Sequence, residues 1–490
     1  PFWERSGSSS MKPLMRARRV LKRWVVPVLV VWTLGSFTYA VVTQPPVRRC
    51  VAKTFAGGAS AGAEAGRADH WPHMHGPALD GYSSFTGPRT LPGALAWRWH
   101  HPQGRFFTTL NGVVIDGSSN LYVGGDDSVV KLSPDGAMLW TYCSPSWIIT
   151  SVPTLMGGRV FGSTVDGFVY ALDATTGAQR WIRKVADHIG FDTHAIAAHG
   201  GRLIVGTDPT DSPCCGISGG AVLQCLDAVD GSKIWEFRPD SPVWNFHAVF
   251  LDDGTFAYQD REGRAYRNRL SDGSLIWKRG GMKGTWNDGA VAPGPDGLVY
   301  AVATQGPNEV SSPGVVTAYR LEDGEVAWEQ RVPTPPNQFP AIGRLGKGRN
   351  MSVVASIGLY HPSYIYAYDA ITGAEQWSLK LPKGPEPGKS YGAAGDAEGR
   401  PTRVAVSPRD ACNPNAWSNA AIDAAGTVYI GHAYGRFFAL RDDNEDGVID
   451  TTEVSSINTE SAFPGSGPAL APGLVAVANC DSVLVFKSKS

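Results

Sequence analysis

Apolar and polar positions alternate along most of the chain, and at regular intervals a Gly-containing turn and a tryptophan interrupt the alternation. Six segments carry the full pattern: "SVVKLSPDGAMLW" to Trp140, "FVYALDATTGAQRW" to Trp181, "VLQCLDAVDGSKIW" to Trp235, "RAYRNRLSDGSLIW" to Trp277, "VVTAYRLEDGEVAW" to Trp328 and "YIYAYDAITGAEQW" to Trp377. Successive tryptophans lie 41, 54, 42, 51 and 49 residues apart. A period of two predicts strands, and Asp or Thr before Gly predicts a hairpin turn. Gly accepts the positive φ, and the Asp or Thr side chain bonds the local backbone. A further strand pair with its own turn precedes each hairpin, as in "SVPTLMGGRVFGSTVDG" and "GAVAPGPDGLVYAVAT". Four strands per repeat of roughly 40–50 residues predict β-propeller blades, with each tryptophan packed as core between neighbours.

The two ends of the pattern complete each other. Trp97 in "ALAWRWHHP" has the closing-strand pattern without a preceding hairpin. "SGPALAPGLVAVANCDSVLVFKS" supplies three strands without a closing tryptophan. Joined, they make one blade and latch the ring. With a seventh blade around "RFFALRDDNEDGVID", the expected fold is all-β: an eight-bladed propeller of four-stranded antiparallel blades over 94–490, behind a lead-in segment, 69–93.

Composition supports an ordered body: 16 Trp and 10% aromatics exclude disorder. The net charge of −1 hides an asymmetry, because residues 1–50 hold nine basic side chains against Glu4 alone. The body is therefore acidic, which argues against a nucleic-acid partner. Residues 1–23 form a basic cytoplasmic N-terminus in which 1–10 precede Met11, a candidate start. Residues 24–42 carry no charge and predict a hydrophobic helix, with its cationic flank on the cytoplasmic side. Either this helix is an uncleaved signal-anchor, giving a single-pass membrane protein with an extracytoplasmic or lumenal propeller, or it is a signal peptide cut after Thr38-Tyr39-Ala40 and the protein is secreted. Residues 43–68 read as a flexible linker. Seven cysteines suit an oxidising route, and their odd number leaves at least one without an intramolecular partner. Asn350 heads the one N-glycosylation sequon.

"ALDATTGAQRW", "AYDAITGAEQW" and the Trp-Pro…Gly…Gly lead-in "DHWPHMHGPALDGYSSFTGPR" resemble the repeats of pyrroloquinoline-quinone (PQQ) dehydrogenases and their non-catalytic relatives, including the outer-membrane assembly lipoprotein. The likeness covers roughly 69–490, and the cysteine layout is nearest the polyvinyl-alcohol dehydrogenase branch. In the dehydrogenases PQQ lies between a tryptophan and a ring of adjacent cysteines, Ca²⁺ bridges it to carboxylate and amide groups, and an Asp acts as base. The resemblance implies Cys214, Cys215 and Trp286 as quinone-holding residues, with Asn308 or Glu309 in place of the family's ligand segment. "GISGG" replaces the Phe-Arg-Gly that often follows the cysteines, and "WEQRVPTPPNQFP" offers no base after Glu329. These departures favour a non-catalytic binding or assembly module. The alternative is a PQQ- and calcium-dependent alcohol dehydrogenase.

Residues entering the innermost strands are expected at the central mouth, where a protein or small-molecule ligand would sit. These are Asp192, His194, Trp244, Asn245, His247, Trp286, Asn287, Asp288, Asn337, Trp417 and Asn419; the plainer expectation is that the polar ones cap strands. His70, His73 and His75 read as surface lead-in residues and not as metal ligands, and 383–403 as a Gly/Pro-rich insertion. "DDNEDGVIDTTE" follows the calcium-loop register, with Asp442, Asn444, Asp446, the Val448 carbonyl, Asp450 and Glu453 as ligands and Gly447 at the turn. The strand before it places the loop at a hairpin turn, as a structural clip.

Overall fold

The computed structural model describes residues 50–54, 68–102, 104, 110–125, 127–146, 152–189, 196–208, 220–287, 291–308, 311–336, 338–346, 350–358, 363–381, 417–463 and 465–488. The chain divides into two units, 1–44 and 45–490, and the first lies outside these residues. So do the stretch 24–42 read as a helix and the insertion 383–403. Among the described residues no helix is long and apolar enough to cross a membrane.

Eight antiparallel sheets form the ring. Blade two shows the plan: Thr154–Met156, Arg159–Ser163, Phe168–Asp173 and Gln179–Lys184 follow one another from axis to rim. First strands of adjacent blades touch around the axis, as Thr154–Met156 does with Ala197–His199 and Ala341–Arg344 with Ala421–Ile422. Blade eight joins the two ends of the propeller. Ala469–Ala471, Leu474–Ala478 and Val483–Lys487 come from the C-terminal side, and Leu95–Trp99 closes them, pairing Leu95 with Phe486 and Trp99 with Val483.

The recurring tryptophans hold blade to blade. Each Nε1 donates to a backbone carbonyl in the next blade's turn: Trp97 to Pro134 (3.0 Å), Trp140 to Ala174 (3.1 Å), Trp181 to Ala228 (3.2 Å), Trp235 to Leu270 (2.9 Å), Trp277 to Leu321 (2.8 Å) and Trp328 to Ala370 (2.9 Å). The turn glycine lies flat on the indole. A Cβ on Gly273, at φ +74°, would stand 2.6 Å from the Trp235 ring, and one on Gly373 equally close to Trp328. The series breaks once. Trp377 meets the calcium-like loop instead of a short turn, and its buried Nε1 has no acceptor.

The expected flexible linker 43–68 is tied down in part. Cys50 is disulfide-bonded to Cys143, and Lys53–Thr54 adds a fifth strand to blade one, with Lys53 opposite Thr141. That edge strand offers unpaired backbone groups that the segment completes. Cys225 is free and buried, which supplies the odd cysteine, and Cys480 is disulfide-bonded.

The lead-in is not a surface strap throughout. Trp71 bridges to Ile115 of blade one, and Leu155 of blade two donates to the Pro72 carbonyl. Ile342 of blade six donates to the Asp80 carbonyl, and Tyr82 bridges to Ile422 of blade seven. One segment thus touches the first strands of four blades, which is possible only at the axis. It buries His73 and His75, correcting the surface reading of that histidine run. From there it runs outward: Gly87 donates to Asp423, Arg89 to the Ala439 and Glu453 carbonyls, and Leu91 to Ser455 of the outermost strand of blade seven.

Candidate functional site

An antiparallel meander puts two sets of loops at one end of the ring: those joining second and third strands, and those joining one blade to the next. Trp244, Asn245, Trp286, Asn287, Asn308 and Asn419 all occupy such loops. Cys214, Cys215, His194, Asp192, Asp288, Glu309 and Asn337 lie outside the described residues.

The amides are used within the fold. Asn287 is buried; its Oδ1 accepts from Thr304 N at 2.6 Å, and its Nδ2 donates to the Arg261 carbonyl at 3.0 Å and to Thr285 Oγ1 at 3.2 Å. Asn419 Oδ1 accepts from Phe339 N at 3.1 Å, clamping blade seven to the entry of blade six. Asn308 Oδ1 accepts from Ser311 N at 2.9 Å within its own loop. Asn245 sits at φ +41°, a conformation Asn tolerates better than most residues. These bonds fit the plainer expectation of caps and clamps.

Trp286 and Trp244 meet with ring centroids 4.9 Å apart at 55°. The Arg261 guanidinium lies over both, 5.4 Å from the Trp244 centroid and 5.3 Å from that of Trp286. Arg261 comes from the "DREG" turn of blade four, which by composition reads as a solvated turn; no pattern in the sequence points to it. A quinone stacked on Trp286 needs an open indole face. Arg261 and the tilted Trp244 lie against that ring, so PQQ does not fit on the part of Trp286 that they cover.

Two buried titratable features flank this end. Asp208 directly follows the second strand of blade three, is buried, and neither carboxyl oxygen has a hydrogen-bond partner. Burial pushes its pKa up to about 7. Closer to the axis His73, His75, His247 and Phe339 pack together. The centroids of His73 and His247 are 6.4 Å apart, those of His247 and Phe339 5.8 Å, and those of His75 and Phe339 5.5 Å. His75 Nε2 lies 3.0 Å from the Pro340 carbonyl, whereas His73 Nδ1 and both His247 nitrogens are buried without partners. Burial holds His73 and His75 down to about pKa 4 and His247 well below the usual imidazole range. Neutral rings are the physical answer to a water-poor axis.

The calcium-like loop occupies the opposite end, between Arg436–Leu440 and Val454–Asn458 of blade seven. Asp442 and Glu453 are both 3% exposed. Asp442 accepts from Asp446 N and Gly447 N, each at 3.1 Å. Glu453 accepts from Asp443 N at 2.7 Å, Asn444 N at 3.2 Å and Asp450 N at 3.1 Å. Asp446 accepts from Val448 N and Asp450 from Thr452 N. Asp443 turns outward to Arg89 and Arg441, and Ile449 is buried in the cluster that holds Trp377. Gly447 has φ +84°, and a Cβ there would come within 2.9 Å of the Gln376 carbonyl. The all-oxygen donor set suits a hard cation. Among the described residues, however, no group of three or more His, Cys, Asp or Glu side chains gathers as a metal site would require.

The model for the family described as outer membrane protein assembly factor BamB, a PQQ-repeat family, matches residues 89–212, 166–356 and 218–485. The chain belongs to this family. Relatives of this BamB-type propeller include the outer membrane protein assembly factor BamB of Moranella endobia, 23% identical over 47% of the chain and 57% of the relative. The polyvinylalcohol dehydrogenase of a Pseudomonas species is 24% identical over 65% of the chain and 57% of the relative. The chain thus spans little more than half the length of either. Among solved structures, the quinohemoprotein alcohol dehydrogenase from Comamonas testosteroni superposes with a TM-score of 0.56 at 14% identity, covering 87% of this chain and 82% of that one. The BamB-type fold is therefore common to proteins named as assembly factors and as enzymes.

Proposed function

We propose that this propeller is an extracytoplasmic, non-catalytic binding or assembly module, tethered by the 24–42 segment or secreted, whose ligand is taken at the central mouth. The observation that carries the reading is the mouth itself: Arg261 covers the indole that would hold a quinone, and the nearby amides are committed to backbone groups. The disulfide between Cys50 and Cys143 suits an oxidising compartment. The test is to reconstitute the body with PQQ and Ca²⁺ and assay dye reduction with primary and secondary alcohols. No quinone binding and no turnover are expected; turnover abolished by Cys214→Ala would overturn the module reading.

A second reading, a PQQ- and calcium-dependent alcohol dehydrogenase, is favoured by Asp208. A buried carboxyl with a pKa near 7 and no partner is the kind of base that the loop sequences lack. If turnover is found, Asp208→Asn should lower it at least a hundredfold, within the usual range of about 10²–10⁴ for a general base.

The reading includes Ca²⁺ on the blade-seven loop as a clip. Support comes from two buried carboxylates within one turn and from Ile449, which anchors that turn in the core. Millimolar Ca²⁺ is expected to raise the Tm by several degrees, and Asp442→Ala to abolish that increment. Equal melting with Ca²⁺ and with chelator would sink the clip. A single site with no flanking helices has no groove to open, so no large conformational signal is expected.

A further inference from the structure

The geometry points to a carboxylate-binding subsite at the mouth, in which the Arg261 guanidinium and the Trp244 indole N–H receive the anion and the part of the half-buried Trp286 ring that Arg261 and Trp244 leave uncovered receives its apolar flank. The inference rests on the module reading for its place and goes beyond it in naming the ligand class.

Arg261 is positioned without being used. The two acids beside it in sequence, Asp260 and Glu262, both turn to Arg264: Asp260 Oδ2 is 3.0 Å from Arg264 Nη1 and Glu262 Oε2 is 3.9 Å from Arg264 Nη2. Asp260 also accepts from the Tyr266 hydroxyl at 2.9 Å. Among the described residues the Arg261 side chain pairs with no carboxylate and donates no hydrogen bond; its contacts are the two indole faces. Stacking fixes the plane of a guanidinium while leaving all five N–H groups for in-plane acceptors.

The second observation is independent. Trp244 is 8% exposed, and its buried Nε1 has no acceptor. An indole N–H is a donor only, and a buried donor normally finds a partner. Here it lies in the ring that stacks under the guanidinium. Among the described residues the subsite therefore offers donors with a positive charge beside an aromatic surface. That chemistry selects an anion with an apolar body: an aryl- or alkyl-carboxylate, free or at the C-terminus of a peptide. A phosphate would satisfy the charge but leave the Trp286 surface unused.

The backbone around Arg261 does not depend on its side chain. Its N–H donates to the Pro242 carbonyl at 2.8 Å and its carbonyl accepts from Asn287, so Arg261→Gln should fold. The experiment is calorimetric titration of the full chain with phenylacetate, with a peptide ending in a free phenylalanine carboxylate, and with the same peptide C-terminally amidated. Wild type should bind the carboxylates and not the amide. Arg261→Gln should weaken binding at least tenfold with an unchanged Tm, and Arg261→Lys should recover only part of it. Tighter binding of the peptide than of phenylacetate would identify a protein chain end as the source, and the reverse a free metabolite; both support the subsite. No binding of either carboxylate, equal binding of the amide, or an unaffected Arg261→Gln would overturn it. Quinone turnover in the dye assay would sink the module reading alone, so the two failures are distinguishable.

Discussion

Trp140→Ala should destabilise the propeller by about 3–5 kcal/mol, the range for emptying a large buried aromatic site. Two losses contribute. The indole is almost wholly buried between blades one and two, and its Nε1 donates to the Ala174 carbonyl, which also accepts from the Tyr122 hydroxyl and Lys131 Nζ. Conservative variants separate the two. Trp140→Phe keeps most of the packing but forfeits the hydrogen bond, worth about 1 kcal/mol net. Trp377→Phe forfeits nothing of that kind, because the Trp377 Nε1 has no acceptor to lose. Urea unfolding should therefore rank Trp377→Phe as milder than Trp140→Phe. Equal costs for the two would refute the role given to the indole N–H, and a mild Trp140→Ala would refute the tryptophans as blade-to-blade fasteners.

Acidification from pH 7 toward 4 should remove the stabilising contribution of the axial histidines below pH 6.5, against an opposing gain from Asp80 and Asp208. His73 and His75 are held near pKa 4 in the folded chain, against 6.5 as the ordinary value, and His247 lower still. The unfolded chain therefore takes up protons first as the pH falls. The stabilising preference for neutral rings is complete above the unfolded pKa and is lost as pH drops through 6.5 toward 4. At about 1.4 kcal/mol per pH unit, each of His73 and His75 contributes on the order of 3 kcal/mol to that loss. The groups facing the cluster are His199, which lowers His73 further, and Pro340, whose carbonyl partly offsets the effect at His75. Two carboxyls act in the opposite sense: Asp80, raised to about 6, and Asp208, raised to about 7, favour the fold when protonated and lose that contribution as pH rises through those values. His73→Leu removes one titrating ring without adding charge. Its denaturation midpoint should fall less steeply between pH 6.5 and 4.5 than that of the wild type; parallel slopes would contradict the buried-imidazole account.

The ring was legible from local pattern because its evidence is local. Strand alternation, Asp–Gly or Thr–Gly turns and a tryptophan at fixed offset recur within about fifteen residues, and each hairpin must bury its face against a copy of itself. The latch was legible for the same reason: Trp97 lacked a hairpin and the C-terminal strands lacked a tryptophan. The axis was not. His75 meets Pro340 at a separation of 265 residues, and nothing near either residue signals the encounter. A His-x-x-His-x-His run with Trp71 inside it looks solvated until ring closure brings four first strands around it. Arg261 failed to stand out for a different reason. "DREG" has the composition of any polar turn, and only the pairing of its two acids with Arg264 singles out the remaining cation. The linker reading erred where a cysteine, Cys50, already lay in the segment called flexible.

The latch also sets an order of assembly. Leu95–Trp99 is synthesised before any complete blade, yet its partner Val483–Lys487 follows only after the seven intervening blades. Until then blade one has no neighbour on one side, and the early strand has an open edge. At about 5–20 residues per second, the stretch between the two strands takes tens of seconds to make, and both remain exposed for that time. Closure is then a single late event between remote segments, the class of contact that slows folding most. Any factor that shields sheet edges during synthesis should therefore affect the yield of this protein far more than its final stability.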